Sequence, residues 1–187
     1  KKIDPIKITK NFSKIKNLLQ KNIFLNDKFN GKISIQINSL SNFNLFNKAK
    51  IALEFMNGKL IFDKTTFYSS KIGKLIFLDS NLFELNNQQI FKANILFEIE
   101  NQKKFYQKMQ IPKINRMNLK NIYFEFDNDS NLNEYKINKF IVNSNVKNNF
   151  NYESKDITDL ISIFEFEDVK NWIKFKKTTN EIFSKIK

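Results

Sequence analysis

The chain has 187 residues, with 32 basic side chains against 19 acidic ones, a formal net charge of +13, and neither cysteine nor histidine. The missing thiol and imidazole exclude disulfides, thiol nucleophiles, Ser-His-Asp triads, histidine acid–base catalysis and the Cys/His zinc sites. The length suits one domain with a substantial core, and no run of about 18 apolar residues is present to span a bilayer as a helix.

No secretory signal is visible, and the opening KKIDP, without an initiator Met, reads as a piece of a longer protein. The positive charge suggests nucleic acid or an anionic membrane surface. Only one of the basic residues, Arg116, is an arginine. A phosphate reader favours the planar arginine fork, so solvated lysine faces are the better reading and no nucleic-acid partner is expected.

In chain order, residues 1–29 form a mixed lead-in, with Phe12, Ile15, Leu18 and Leu19 at helical spacing and Ser13 as a cap. From Gly31 the period becomes two. Ile33, Ile35 and Ile37 alternate with polar neighbours, and Ile51, Leu53 and Phe55 do the same in AKIALEFMN. Asn57-Gly58 then predicts a tight hairpin, because a type I′ turn needs positive φ at both central residues. The chain's three glycines, Gly31, Gly58 and Gly73, each precede Lys and then Ile or Leu. Glycine is expected to supply turn geometry there, the lysine to keep the rim wet, and the Ile or Leu to begin the buried face.

Leu60 and Phe62 continue the alternation. GKLIFLDSNLFEL predicts a strand from Lys74 and a short one near Leu82–Leu85, and IFKANILFEIE a longer one with Phe91, Ala93, Ile95, Phe97 and Ile99 on one face. Phe105, Tyr106 and Met109 fit a short helix near 101–110 that ends before Pro112. NIYFEFDND places Phe124 and Phe126 with Ile122, and NEYKINKFIVNS is its antiparallel partner. The tail is expected to be helical from an Asp156 cap, broken near 165–168, with an apolar stripe that includes Trp172, Ile173, Ile182, Phe183 and Ile186. The expected organisation is a lead-in over 1–29, a β-sheet module over 30–150 with the short helix inside it, and a helical segment over 151–187. The expected fold is mainly β with terminal helices. It is an antiparallel meander of about eight strands, forming a curved, half-open sheet or groove with an amphipathic C-terminal helix.

Chemistry is scarce. No glycine-rich phosphate loop is present. DNDSN at 127–131 lacks the EF-hand glycine and terminal Glu and reads as a turn. Glu98 with Glu100, and Glu125 with Asp127, are solvent-facing strand residues rather than a glycosidase pair. No enzyme activity and no cofactor or metal are expected.

The NGKLIFDKTTF and IGKLIFLDSNL pair, the FYQKMQIPKINR helix-and-break, and the closing strand pair with its terminal helix carry a resemblance over about residues 30–185. In these features the chain resembles the C-terminal region of AsmA-like proteins of the alphaproteobacterial type, relatives of TamB and other bridge-like lipid-transfer proteins. Its few glycines and many Asn and Lys residues depart from that pattern. The resemblance implies a periplasmic, half-open β-groove belonging to a protein anchored in the inner membrane. It also implies a part in phospholipid transport or outer-membrane biogenesis, with acyl chains and neighbouring β-repeats of the parent chain as partners.

The residues read as an apolar groove lining are Ile33, Ile35, Ile37, Ile51, Leu53, Phe55, Leu60, Phe62, Ile95, Phe97, Ile99, Phe124 and Phe126. An ordinary core covered by the terminal helices accounts for the same pattern. Lys32, Lys59 and Lys74 are placed to meet lipid phosphates at the rim, or simply to keep the rim in water. An assembly module that docks neighbouring repeats or an envelope partner is the second functional reading.

Overall fold

The turn at Asn57-Gly58 folds as its sequence predicts: both residues have positive φ, 52° and 70°, and they join β2 (Lys48–Met56) to β3 (Lys59–Ile61). The computed structural model describes residues 26–40, 45–86, 88–129, 134–143, 155–156 and 172–186. The helix expected near Phe12–Leu19 lies outside these residues.

Before the turn comes β1 (Gly31–Ile37). After it come β4 (Thr66–Ser69), β5 (Gly73–Phe77), β6 (Asn81–Leu85) and β7 (Gln88–Ile99), then helix α1 (Gln102–Met109). Strands β8 (Asn121–Asp129), β9 (Glu134–Val142) and β10 (Lys155–Asp156) precede helix α2 (Trp172–Ile186). All ten strand segments belong to one antiparallel sheet. Strands β3 and β4 both pair with β2, at its two ends, and β5 and β6 both pair with β7 in the same way. Each couple is therefore one pass across the sheet, and the chain is an up-and-down meander with β1 and β10 at its ends. No pairing among the described residues joins those ends, so the sheet stays open.

The interruptions are β-bulges. On β2 the three residues between Lys50 and Glu54 oppose the four between Ile61 and Thr66. On β7 Ala93 and Asn94 oppose the three residues between Phe77 and Asn81. A third shift lies between Glu125 and Phe126 in the β8–β9 pair, and Phe126 stands opposite Ala93. The bulges thus run in a row from β2 to β9 and form a crease, because each adds local twist and bends its strand.

Residues on one side of the crease pack under both helices. Ile99, Ile122 and Val142 of the sheet meet Phe105, Tyr106 and Met109 of α1 and Ile182, Phe183 and Ile186 of α2 in one buried cluster. Asn101 caps α1 by accepting the Lys104 N–H at 2.9 Å, and Gln110, left-handed at φ 60°, ends it before Pro112. The Tyr106 hydroxyl donates to the Met117 carbonyl at 2.6 Å and accepts the Met117 N–H at 3.2 Å, tying α1 to the segment that leads into β8.

Two local expectations are corrected. Asp156 pairs with Ile141 in β10, extending the sheet by two residues; the helix expected to follow it, with its break near 165–168, lies outside the described residues up to Trp172. Ile173 leaves the apolar stripe of α2 and is 74% exposed, because the packed face runs through Thr178, Thr179, Ile182 and Phe183. Gly31 has no positive φ and open space where a Cβ would stand, so it is a plain strand residue. The glycine argument holds at Gly58 and at Gly73, where φ is 153° and an added Cβ would stand 2.0 Å from the Glu98 carbonyl oxygen.

Candidate functional site

Cross-strand register places twelve of the thirteen predicted lining residues on one face, and Phe62 joins them by packing against Phe55 and Leu60. Ile33 stands opposite Leu53 and Ile35 opposite Ile51; Phe55 stands opposite Leu60, Ile95 opposite Phe124, and Ala93 opposite Phe126. Strand periodicity of two, preserved through each pairing, keeps this set together. Both helices cover part of the same face.

The face divides at the crease. Phe97 and Ile99 are buried under the helices; the Phe97 ring centroid lies 5.6 Å from Phe46 and 5.9 Å from Phe105. Ile95 and Ile37 are buried as well, as are Phe55 and Leu60 beyond the crease. Phe97 and Ile99 belong to a filled core, and for all six buried side chains the groove expectation gives way to ordinary packing. Phe124, half-buried, stacks on Phe140 at 6.1 Å and packs against the same cluster.

Beyond the crease, Phe55 and Leu60 centre a smaller cluster with Leu53, Phe62 and Leu82 around them. Phe62 meets Phe91 edge-on at 5.5 Å, and Phe91 meets Phe126 at 5.9 Å. Leu53, Phe62, Phe91 and Phe126 are half-buried, as is Ile51. No helix packs on this cluster among the described residues. At the β1 edge, Ile33 and Ile35 are 47% and 43% exposed. The accessible apolar strip therefore runs from Phe126 and Phe91 through Phe62 and Leu53 to Ile33 and Ile35. Phe91 and Leu82 belong to this strip although the lining expectation leaves them out. The signal for Phe91 was its even spacing from Ile95 and Phe97.

The lysines at the strand starts lie on the other face. Lys32 pairs with Glu54 at 2.8 Å and Lys74 with Glu98 at 2.9 Å, while the Lys59 ammonium sits 5.7 Å from the Phe83 ring centre. The bond to Glu98 raises the Lys74 pKa. On this second face, where Ile76, Leu96 and Tyr123 stand opposite one another and are buried, the Tyr123 hydroxyl donates to Glu125 at 2.9 Å, and its pKa is pushed up to about 12, by burial first and the Glu125 bond second.

Charge is unevenly placed. Residues 102–116 and 172–186 carry nine basic side chains and one acidic one, Glu181. The other described residues carry thirteen and twelve. Lys108 and Lys176 both approach the Trp172 ring, at 5.4 and 5.9 Å. Two surface depressions of about 480 and 430 Å³ lie where the β4–β5 turn meets α1, both lined by Ser70, Lys71 and Lys104. None of the thirteen predicted residues lines either one.

Among the described residues no cluster of three or more metal-ligating side chains exists, and no helix is long and apolar enough to cross a membrane. No protein-family model, curated protein or solved structure matches this chain. The resemblance to AsmA-like proteins is therefore carried by residue pattern alone.

Proposed function

We propose that this chain is a non-enzymatic AsmA-like β-groove module that holds phospholipid acyl chains against the helix-free half of its apolar face, as part of phospholipid transport or outer-membrane biogenesis in the periplasm. The observation that carries the reading is the accessible strip from Phe126 through Phe62 and Leu53 to Ile35, apolar throughout and uncovered by either helix. Each CH₂ of lipid moved out of water contributes ~0.8 kcal/mol, so a two-chain lipid can be held by area without specific polar contacts. The half of the face beneath α1 and α2 supplies the rigid base for this strip.

The test is mass spectrometry of solvent extracts from natively purified protein. Phospholipid is expected in stoichiometric amount with the wild type and lost in Leu53→Glu, with the far-ultraviolet circular dichroism unchanged. A wild type that carries no lipid, and acquires none from vesicles, overturns the proposal. The second reading, an assembly module that docks neighbouring β-repeats or an envelope partner, draws on the outer edge of β1, which no strand among the described residues pairs with.

A further inference from the structure

Strand β1 pairs with β2 along seven consecutive residues without a register shift, and among the described residues no other strand pairs with it. Exposed edge strands normally carry a proline, a bulge or an unpaired lysine that blocks further pairing. Strand β1 has no proline and no bulge. Its single charged residue, Lys32, is held by Glu54 on the outer face. Six of its seven residues are exposed, including Ile33 and Ile35 on the apolar face. This edge is a template for another strand.

We propose that the β1 edge pairs antiparallel with the β1 edge of a second copy of this chain, about a two-fold axis at Ser34. The central residues argue for this occupant, because from Lys32 to Gln36 the pattern is symmetric about Ser34: Ile33 mirrors Ile35, and polar Lys32 mirrors polar Gln36. In that register Ile33 stands opposite the partner's Ile35, and Lys32 opposite the partner's Gln36. The one charge of the strand meets a neutral amide, and the two exposed isoleucines of each copy cover those of the other. Residues that stand opposite one another share a face, so the accessible strip of one copy continues into that of its partner. The inference goes beyond the lipid reading and does not rest on it: the edge pairs whether or not acyl chains occupy the strip.

The net charge of +13 opposes association of two copies. Pairing held by backbone bonds and isoleucine contact therefore tightens as salt screens that repulsion, whereas charge-driven association weakens.

Sedimentation velocity of the full chain across a concentration series, at about 0.05 and 0.5 M salt, reads this directly. The expected result is a monomer–dimer equilibrium that favours dimer at the higher salt and is lost in the double variant Ile33→Lys with Ile35→Lys. Because the chain contains no cysteine, Ser34→Cys places a single thiol on the proposed axis. There the two Cα atoms of an antiparallel pair stand within disulfide range, at about 4.5 to 5.5 Å. On mild oxidation Ser34→Cys is expected to form covalent dimer at least about tenfold faster than Lys103→Cys on the exposed side of α1. A monomer under every condition, equal crosslinking rates for the two thiols, or a dimer that survives the double lysine variant overturns the proposal.

Discussion

The Thr65 side-chain oxygen accepts the Ala52 N–H at 3.0 Å and donates back to the Ala52 carbonyl at 2.9 Å. At the first bulge a hydroxyl thus satisfies the two ladder groups of Ala52. Ser80 repeats the arrangement at the second bulge, accepting the Asn94 N–H at 3.1 Å and donating to the Asn94 carbonyl at 3.4 Å. Asp63 accepts the Ser80 N–H at 2.7 Å, which links the two bulges. Both hydroxyls are buried, Thr65 at 5% exposure and Ser80 at 0%.

Removing either hydroxyl therefore leaves a backbone donor without its partner inside the sheet. Thr65→Val and Ser80→Ala are each expected to cost about 1–3 kcal/mol in urea denaturation. Thr65→Ser is expected to recover most of the loss, because it keeps the oxygen. A Thr65→Val variant as stable as the wild type would show that the crease does not depend on this bond.

Gly73 and Gly31 are expected to separate cleanly. At Gly73 an added methyl meets backbone, which cannot swing aside, at a φ that L residues rarely adopt. Gly73→Ala is expected to lower the melting temperature by more than 10 °C, on the order of 3 kcal/mol or more. Gly31→Ala, with open space around it, is expected to stay within about 0.5 kcal/mol of wild type. Thermal scans of the two variants side by side decide the matter.

Alkali is expected to destabilise the fold in a defined window. Tyr123 has its folded pKa raised from 10.0 to about 12, and Tyr106 is raised by burial. Between those values the unfolded chain has lost protons that the folded one retains, so stability falls as pH rises. Lys74, raised by its Glu98 partner, acts with the same sign above its ordinary 10.5. The urea midpoint is expected to hold steady from pH 7 to 9 and to fall above about 10, with a shallower fall in Tyr123→Phe. A midpoint that is flat to pH 12 contradicts this.

The division of the apolar face predicts unequal responses to truncation. Phe97 lies in the filled core, so Phe97→Ala is expected to cost about 3–5 kcal/mol, and a charge there would unfold the chain rather than empty a groove. Half-buried Phe126, outside that cluster, is expected to cost about 1–2 kcal/mol as Phe126→Ala. Lipid content, measured by phosphate assay on the purified variants, is expected to fall in Phe126→Ala while the protein stays folded. Equal destabilisation by the two substitutions would mean that the two halves are packed alike.

Sequence alone determined eight of the strands, the Asn57-Gly58 turn, the short helix α1 and the identity of the apolar face; β4 and β10 were not read from it. Each of these rests on neighbours within a few residues: alternation at period two, positive φ at Asn-Gly, and a short apolar helical spacing that ends before a proline. Tertiary structure decided which part of that face is covered. Phe97 and Phe126 have the same local pattern and lie on the same sheet face, yet one is under helices that arrive from residues 102–109 and 172–186 and the other is not. The crease was equally hidden, because a bulge is a mismatch between two strands and leaves no mark in the period of either one until they are paired. The place of β1 at the end of the sheet among the described residues was decided in the same way: a strand is an edge only by virtue of what fails to lie beside it.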